Sequence, residues 1–116
     1  MKNPLGALAF LAAWSVAAAA HPHSTRECRE GGDFIRNAAL ARDAGYSREF
    51  FIGKLEEDFA MIRAFPASLR WFVQDEDDEN YLRTEVRAVF DVPQTGERHR
   101  SGFLERCERR AGRSIS

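Results

Sequence analysis

The sequence lacks the short motifs that identify several classes of enzyme and cofactor-binding protein. It contains no GxSxG, HExxH, glycine-rich phosphate loop, CxxC or CxxCH motif. His99 and Cys107 are eight residues apart, which is about 12 Å along a continuous helix and too far for direct proton transfer. We therefore predict no catalytic residue and no cofactor, and a small hydrolase or lyase without a recognisable motif is an alternative that the sequence does not support.

The chain also lacks an excess of either charge, with 17 basic and 18 acidic residues. Such a balance gives no overall field to attract nucleic acid, and we predict no nucleic-acid partner. The basic stretch from Arg98 to Arg113 is preceded by Glu97 and interrupted by Glu105 and Glu108. We interpret it as cations that favour the carboxyl end of a helix, and an anionic surface as its ligand is the less favoured alternative.

A single long apolar run occurs, from Leu5 to Val16 near the amino terminus. A basic residue precedes this run, and Ala18 and Ala20 fit the small residues before a signal-peptidase cut. The run is shorter than the ~20 residues that span a bilayer. It predicts a signal peptide at residues 1–20, a single helical domain at 21–116 that does not stay inserted in a membrane after cleavage, and a periplasmic or secreted location.

Cysteine is scarce, and the two that occur, Cys28 and Cys107, lie near the two ends of the predicted mature domain. An even number of cysteines in an exported chain indicates a disulfide, with two free thiols as the alternative. A bond that closes a loop of this length restricts the unfolded chain by roughly 4 kcal/mol. That is a large contribution in so small a domain.

No segment alternates with the period of a β-strand, and the apolar spacing is helical throughout. We predict an all-α fold, a compact bundle of four to five short helices whose first and last members are linked by the disulfide. Gly31 and Gly32 weaken the start of the first helix, which is predicted to begin only at Asp33. Gly45 is a natural carboxyl-end cap.

The remaining helices follow from caps, prolines and periodicity. A second helix follows the cap Ser47 and ends at Pro66, a short third helix starts at Ser68, a fourth ends before Pro93, and the last stops near Gly112. The apolar positions are Phe51, Ile52, Leu55, Phe59 and Ile62 in the second helix, and Leu69, Phe72 and Val73 in the third. They are Leu82, Val86, Val89 and Phe90 in the fourth helix, and Phe103, Leu104 and Cys107 in the last.

Five consecutive acids, Asp75 to Glu79, follow an apolar stretch. An EF-hand loop starting at Asp75 would need Gly where Asn80 stands and Glu where Val86 stands. Acids favour the first turn of a helix, where free amides carry partial positive charge. We therefore predict a helix start, capped by Asp75, Asp77 or Asp78.

The segment "FPASLRWFVQD" carries five large apolar side chains within nine residues. Trp71 in this segment either packs against another helix or is an exposed anchor for a partner, and core packing is the commoner outcome. The candidate partner-binding residues are Trp71, Asp75, Asp77 and Asp78, and the predicted partner is another periplasmic protein.

The predicted mature amino terminus reads "HPHS". His21 and His23 are weak candidates for copper binding, because Pro22 removes the amide nitrogen used in the common amino-terminal copper motif. We predict no metal site, and a copper-binding periplasmic protein is the alternative function.

The pattern "C…AALARDAG…LEEDF…P..LRWFVQDEDD…L…V..VF…H…FL..C" looks like a family of small exported proteobacterial proteins of unknown function. Its one-disulfide helical design is also similar to that of periplasmic acid-stress chaperones. The main interpretation is thus a non-enzymatic protein-binding or stress-related factor. In its chaperone version, protonation of Asp75 to Glu79 at about pH 4 loosens the bundle and exposes apolar surface.

Overall fold

The computed structural model describes residues 23–115, and the side chains of residues 23–111. Its elements are helix α1 (Thr25–Asp43), helix α2 (Arg48–Ile62), a 3-10 helix (Ala67–Leu69), helix α3 (Glu76–Asp91) and helix α4 (Gly96–Ile115). This part of the chain contains no strand. The predicted all-α bundle is confirmed, whereas the predicted signal peptide lies outside the described residues.

The seam between α1 and α4 is the most extensive contact between helices. Cys28 on α1 and Cys107 on α4 are both fully buried and joined by a disulfide, with 5.7 Å between their Cα atoms. The predicted link between the first and last helices is therefore confirmed. Helix α3 packs against α1 and α2, and α2 packs more extensively against α3 than against α1.

Helix α1 begins at Thr25, and the prediction that it begins only at Asp33 is wrong. Ser24 and Glu27 form a capping box, in which the Ser24 hydroxyl accepts from the Glu27 amide and the Glu27 carboxylate accepts from the Ser24 amide. Gly31 and Gly32 stay helical because they face α4 at close range. A Cβ at Gly31 would lie 2.6 Å from the ring of Phe103, so the packing that glycine permits offsets its helical cost.

The core is aromatic at its centre. Phe59, Phe72 and Phe103 are fully buried, and the ring centroids of Phe72 and Phe103 lie 5.4 Å apart. Leu55 on α2 and Leu82 on α3 complete the contact between those helices. Each helix thus contributes its predicted apolar stripe to one core.

The helix predicted to start at Ser68 is a single 3-10 turn, Ala67–Leu69, after which the chain is extended up to Asp75. Arg70 explains the difference, because its guanidinium donates to three backbone carbonyls: those of Phe65 (2.9 Å), Gln74 (2.7 Å) and Arg63 (3.1 Å). These bonds tie the non-helical segment to the end of α2 and satisfy carbonyl groups on both sides of Arg70. Leu69, predicted to share a face with Phe72, is exposed instead.

The other boundaries follow local signals, with one exception. Gly45 has a φ of 101°, Ser47 caps α2, and Asp75 caps α3 by accepting from the amide of Asp78. Helix α3 ends at Asp91, ahead of Pro93, as predicted. Helix α4 does not stop near Gly112 but continues to Ile115, since one glycine costs a helix only about 1 kcal/mol.

The two helical glycines Gly31 and Gly53 give a matched test of the α1–α4 seam. We expect Gly31→Ala to lower the free energy of unfolding by about 1–3 kcal/mol, because the new methyl group overlaps the Phe103 ring. Nothing lies within 4 Å of a Cβ at Gly53, so Gly53→Ala should stabilise by about 0.5–1 kcal/mol. Urea unfolding of both variants in dilute solution measures the contrast. Equal effects would show that the seam tolerates a side chain at position 31.

Candidate binding site around Trp71

Trp71 lies in the extended segment between the 3-10 helix and α3. Its ring packs against Phe34 of α1, with centroids 5.4 Å apart, and against the neighbouring Phe72, at 6.3 Å. The side chain is half-buried. Of the two alternatives for Trp71, the structure therefore has the ring packed against another helix, with one part still accessible to solvent.

Two depressions flank Trp71. The larger has a volume of about 510 Å³ and runs between the first turns of α1 and the segment that carries Leu69, Arg70 and Trp71. The smaller, of about 160 Å³, lies toward the carboxyl end of α2 and is lined by Met61 and Phe65. Leu69 borders the larger groove and is 69% exposed. The tryptophan thus forms the wall between a mainly polar groove and an apolar one.

A buried histidine holds the Trp71 segment against the start of the chain. The Nε2 atom of His23 lies 3.0 Å from the carbonyl oxygen of Phe72 and 3.1 Å from Oδ1 of Asp78. Both neighbours accept hydrogen bonds, so Nε2 carries the hydrogen. The imidazole also stacks on the Phe72 ring at 4.0 Å with an interplanar angle of 3°. This pairing fixes the backbone immediately after Trp71.

The acid run is divided between surface and interior. Asp75 and Asp77, two of the predicted partner-binding residues, are exposed. Asp78, the third, is buried and accepts from the Gln74 amide at 2.9 Å as well as contacting His23. Asp78 therefore positions the Trp71 segment, and Asp75 and Asp77 are the acids that a partner can reach.

The last acid of the run, Glu79, belongs to an ion-pair network at the α2–α3 junction. Its buried carboxylate accepts from Arg63 at 2.6 and 2.9 Å and from Arg83 at 3.4 Å. Arg83 also binds both oxygens of Glu56 on α2, at 2.5 and 2.8 Å, and lies over the ring of Phe59. The hydrogen bond from Arg83 lowers the pKa of Glu56 below its ordinary value. Charge-assisted pairs of this geometry join α2 to α3.

The residues weighed for metal binding and for nucleophilic catalysis lie apart or are engaged in the fold. No group of three His, Cys, Asp or Glu side chains is placed there to hold a metal ion. His21 lies outside the described residues, and the Nε2 atom of its proposed companion His23 is engaged inside the fold. His99 is buried with Nε2 2.9 Å from the Val92 carbonyl oxygen, and Cys107 is in the disulfide.

Comparison with known proteins adds no relative. No family model, no curated protein and no solved structure matches the chain. The resemblance to a family of small exported proteins stays a prediction. Among residues 23–115, no helix has both the length and the apolar character needed to cross a bilayer.

The Glu56–Arg83 pair predicts how stability depends on pH. Because the pKa of Glu56 is lowered in the folded state, its contribution is full above the unfolded-state pKa of about 4.3 and is lost as the pH falls through the lower folded-state value. Glu56→Gln should therefore lower stability at neutral pH and make its decline in acid shallower. Urea unfolding between pH 7 and pH 3 measures both changes.

The exposed Glu108 provides the control for this measurement. Glu108→Gln should leave both the stability at neutral pH and its decline in acid close to wild type. The same decline in acid for Glu56→Gln as for wild type would contradict the role given to the pair.

Proposed function

We propose that this protein is exported and acts, without catalysis of its own, by binding another protein through the surface around Trp71. Two features support export: the apolar leader pattern at residues 1–20 and the Cys28–Cys107 disulfide, since such bonds persist in oxidising compartments. The predicted compartment is the periplasm or the extracellular space.

The exposed side chain of Leu69 is the observation that carries the proposal. Leu69 is 69% exposed and lies beside the half-buried Trp71 and an open groove. Its exposed apolar surface does not take part in packing the fold, so it is available to a partner. Aromatic anchors beside partly desolvated pockets are the usual centres of protein interfaces. The exposed acids Asp75 and Asp77 stand next in the chain and supply a polar rim.

The site is also held rigid before any partner arrives. The Arg70 guanidinium fixes three carbonyl groups around the segment, and His23 with Asp78 fixes its other side. A pre-ordered loop pays less conformational entropy on binding. The smaller entropy loss favours binding to a specific partner over non-specific association.

Two exposed leucines give a matched test of the binding surface. Leu69 lies at the Trp71 site, whereas Leu40, 56% exposed, lies about 15 Å along α1 from Glu30, the last α1 residue that lines the groove. A photoreactive amino acid at position 69 should give a discrete adduct with another protein in intact cells, and one at position 40 should not. The adduct at position 69 should disappear in a Trp71→Ala background. Equal adducts from both positions, or none from position 69, would refute the proposed surface.

An acid-responsive form of this function is the second candidate, and the buried carboxylates favour it. Asp78 and Glu79 carry the hydrogen bonds that join His23, Arg63 and the Trp71 segment to α3. Protonation would remove a charged acceptor from the exposed Arg63 and from the partly buried Arg83. Loss of these bonds in acid would release the segment and expose the aromatic core, as in acid states that retain helix but lose fixed packing.

Binding of a hydrophobic dye tests the acid-responsive form. We expect dye fluorescence to rise below about pH 4, with helical circular dichroism retained. Asp78→Asn should move the rise to higher pH, because a buried acceptor is already weakened, whereas Asp77→Asn at an exposed position should not. A wild-type protein that stays dye-free and fully packed at pH 3 would exclude this form.

A further inference from the structure

Helix α2 and the residues that flank it expose several large apolar side chains on the side that faces away from the core. Leu55, Phe59 and Ile62 are buried against the rest of the bundle. At the two ends of the helix, four large side chains lie exposed: Tyr46 (53%), Phe50 (50%), Met61 (64%) and Phe65 (47%). Tyr46 and Phe50 stack on each other and Lys54 lies over the Phe50 ring, yet about half or more of each of the four side chains stays exposed.

The exposed positions within α2 form one straight stripe. Phe50, Lys54, Glu57 and Met61 follow one another at intervals of four, three and four residues. At 3.6 residues per turn, these four side chains fall within about 60° of one another around the helix, on the side opposite Leu55 and Phe59. Such a spacing is the pattern by which one helix packs along another.

The stripe is complementary to itself when it is read in reverse. Within the stripe, Phe50 and Met61 form one pair and Lys54 and Glu57 another, each equidistant from the midpoint between residues 55 and 56. Tyr46 and Phe65, which flank the helix, are equidistant from the same midpoint. In an antiparallel pair of α2 helices centred on that midpoint, Phe50 of one copy meets Met61 of the other, about 8 Å along the axis from the centre. Lys54 of each copy then meets Glu57 of the other.

The glycine in the middle of α2, Gly53, is a second feature that would allow another helix to pack on this face. It stands in the middle of α2, is exposed, and a Cβ there would meet nothing within 4 Å. Glycine weakens a helix interior by about 0.5–1 kcal/mol, and no contact within the described chain requires it. The exposed Ala60 lies on the same flank of the stripe. Small residues on that flank let a second helix approach closely.

We propose that the outer face of α2 is a homodimer interface, in which α2 packs antiparallel against α2 of a second copy about a two-fold axis near residues 55 and 56. A two-fold axis requires one patch to match itself, and this stripe pairs apolar with apolar and cation with anion under that operation. Within one chain, Lys54 and Glu57 form only an exposed pair at 3.7 Å, which contributes little. In the dimer, two lysines and two glutamates alternate around the axis.

The dimer goes beyond the binding function proposed for the Trp71 site and uses a different face. Leu69 and the larger groove do not belong to the α2 stripe, so each copy would keep that part of the Trp71 site free. The smaller depression beside Trp71 is lined by Met61 and Phe65, so the dimer would close that depression and leave the larger one open.

Charge reversal tests both the dimer and its register. Sedimentation equilibrium of the disulfide-bonded protein should show a concentration-dependent dimer. Lys54→Glu and Glu57→Lys should each weaken it by roughly tenfold or more, because each places like charges around the axis. The double variant K54E/E57K restores opposite charges across the axis and should recover wild-type association.

Two further variants separate this face from other surfaces. Phe50→Asp should abolish the dimer, while Leu40→Asp, an exposed position on α1, and Leu69→Ser at the Trp71 site should leave it intact. Circular dichroism on each variant verifies that the monomer remains folded. A wild-type monomer at millimolar concentration would overturn the proposal, and so would a dimer that Phe50→Asp and both single charge reversals leave unchanged. Failure of the double variant to recover would overturn the antiparallel register.

Discussion

The disulfide between α1 and α4 is the constraint on which the other features of this fold depend. It closes a loop with a sequence separation of 79 residues and lies, fully buried, in the seam where Gly31 receives the ring of Phe103. A bond of this span removes much of the freedom of the unfolded chain. Because α1 and α4 are joined in this way, Phe103 has a fixed position, and Phe72 packs on it to bring the Trp71 segment against α1.

Local signals were sufficient to predict most of the helix boundaries. Gly45, Ser47 and Asp75 act at the positions where their side chains or backbone freedom are needed, and each acts on neighbours within a few residues. The start of α1 was predicted incorrectly because the reason for Gly31 lies in a residue more than 70 positions away. Local propensity predicts how much such a glycine destabilises the helix, but tertiary packing decides whether that destabilisation is offset.

The composition indicated the region proposed as the binding site, but it could not predict the contacts that shape this region. The concentration of aromatic and acidic residues indicated the region, and the structure places Trp71 there as a half-buried wall between two grooves. The contacts that shape the site come from Arg70, which binds carbonyls, and from His23, which pairs with a residue 55 positions later. Neither side chain carries a sequence signal for its role, since both look like ordinary polar residues near a helix end.

Because Gly31 and Phe103 are in contact, the residue type that fits at position 31 depends on the residue type at position 103. Any side chain at position 31 would occupy space that the ring at position 103 fills, because the two helices are held at a fixed separation by a covalent bond one turn away. A methyl group or larger is accommodated without loss of stability only if the aromatic ring is exchanged for something smaller. Descendants of this sequence should therefore change the two sites together or not at all, which gives an evolutionary signature of the seam.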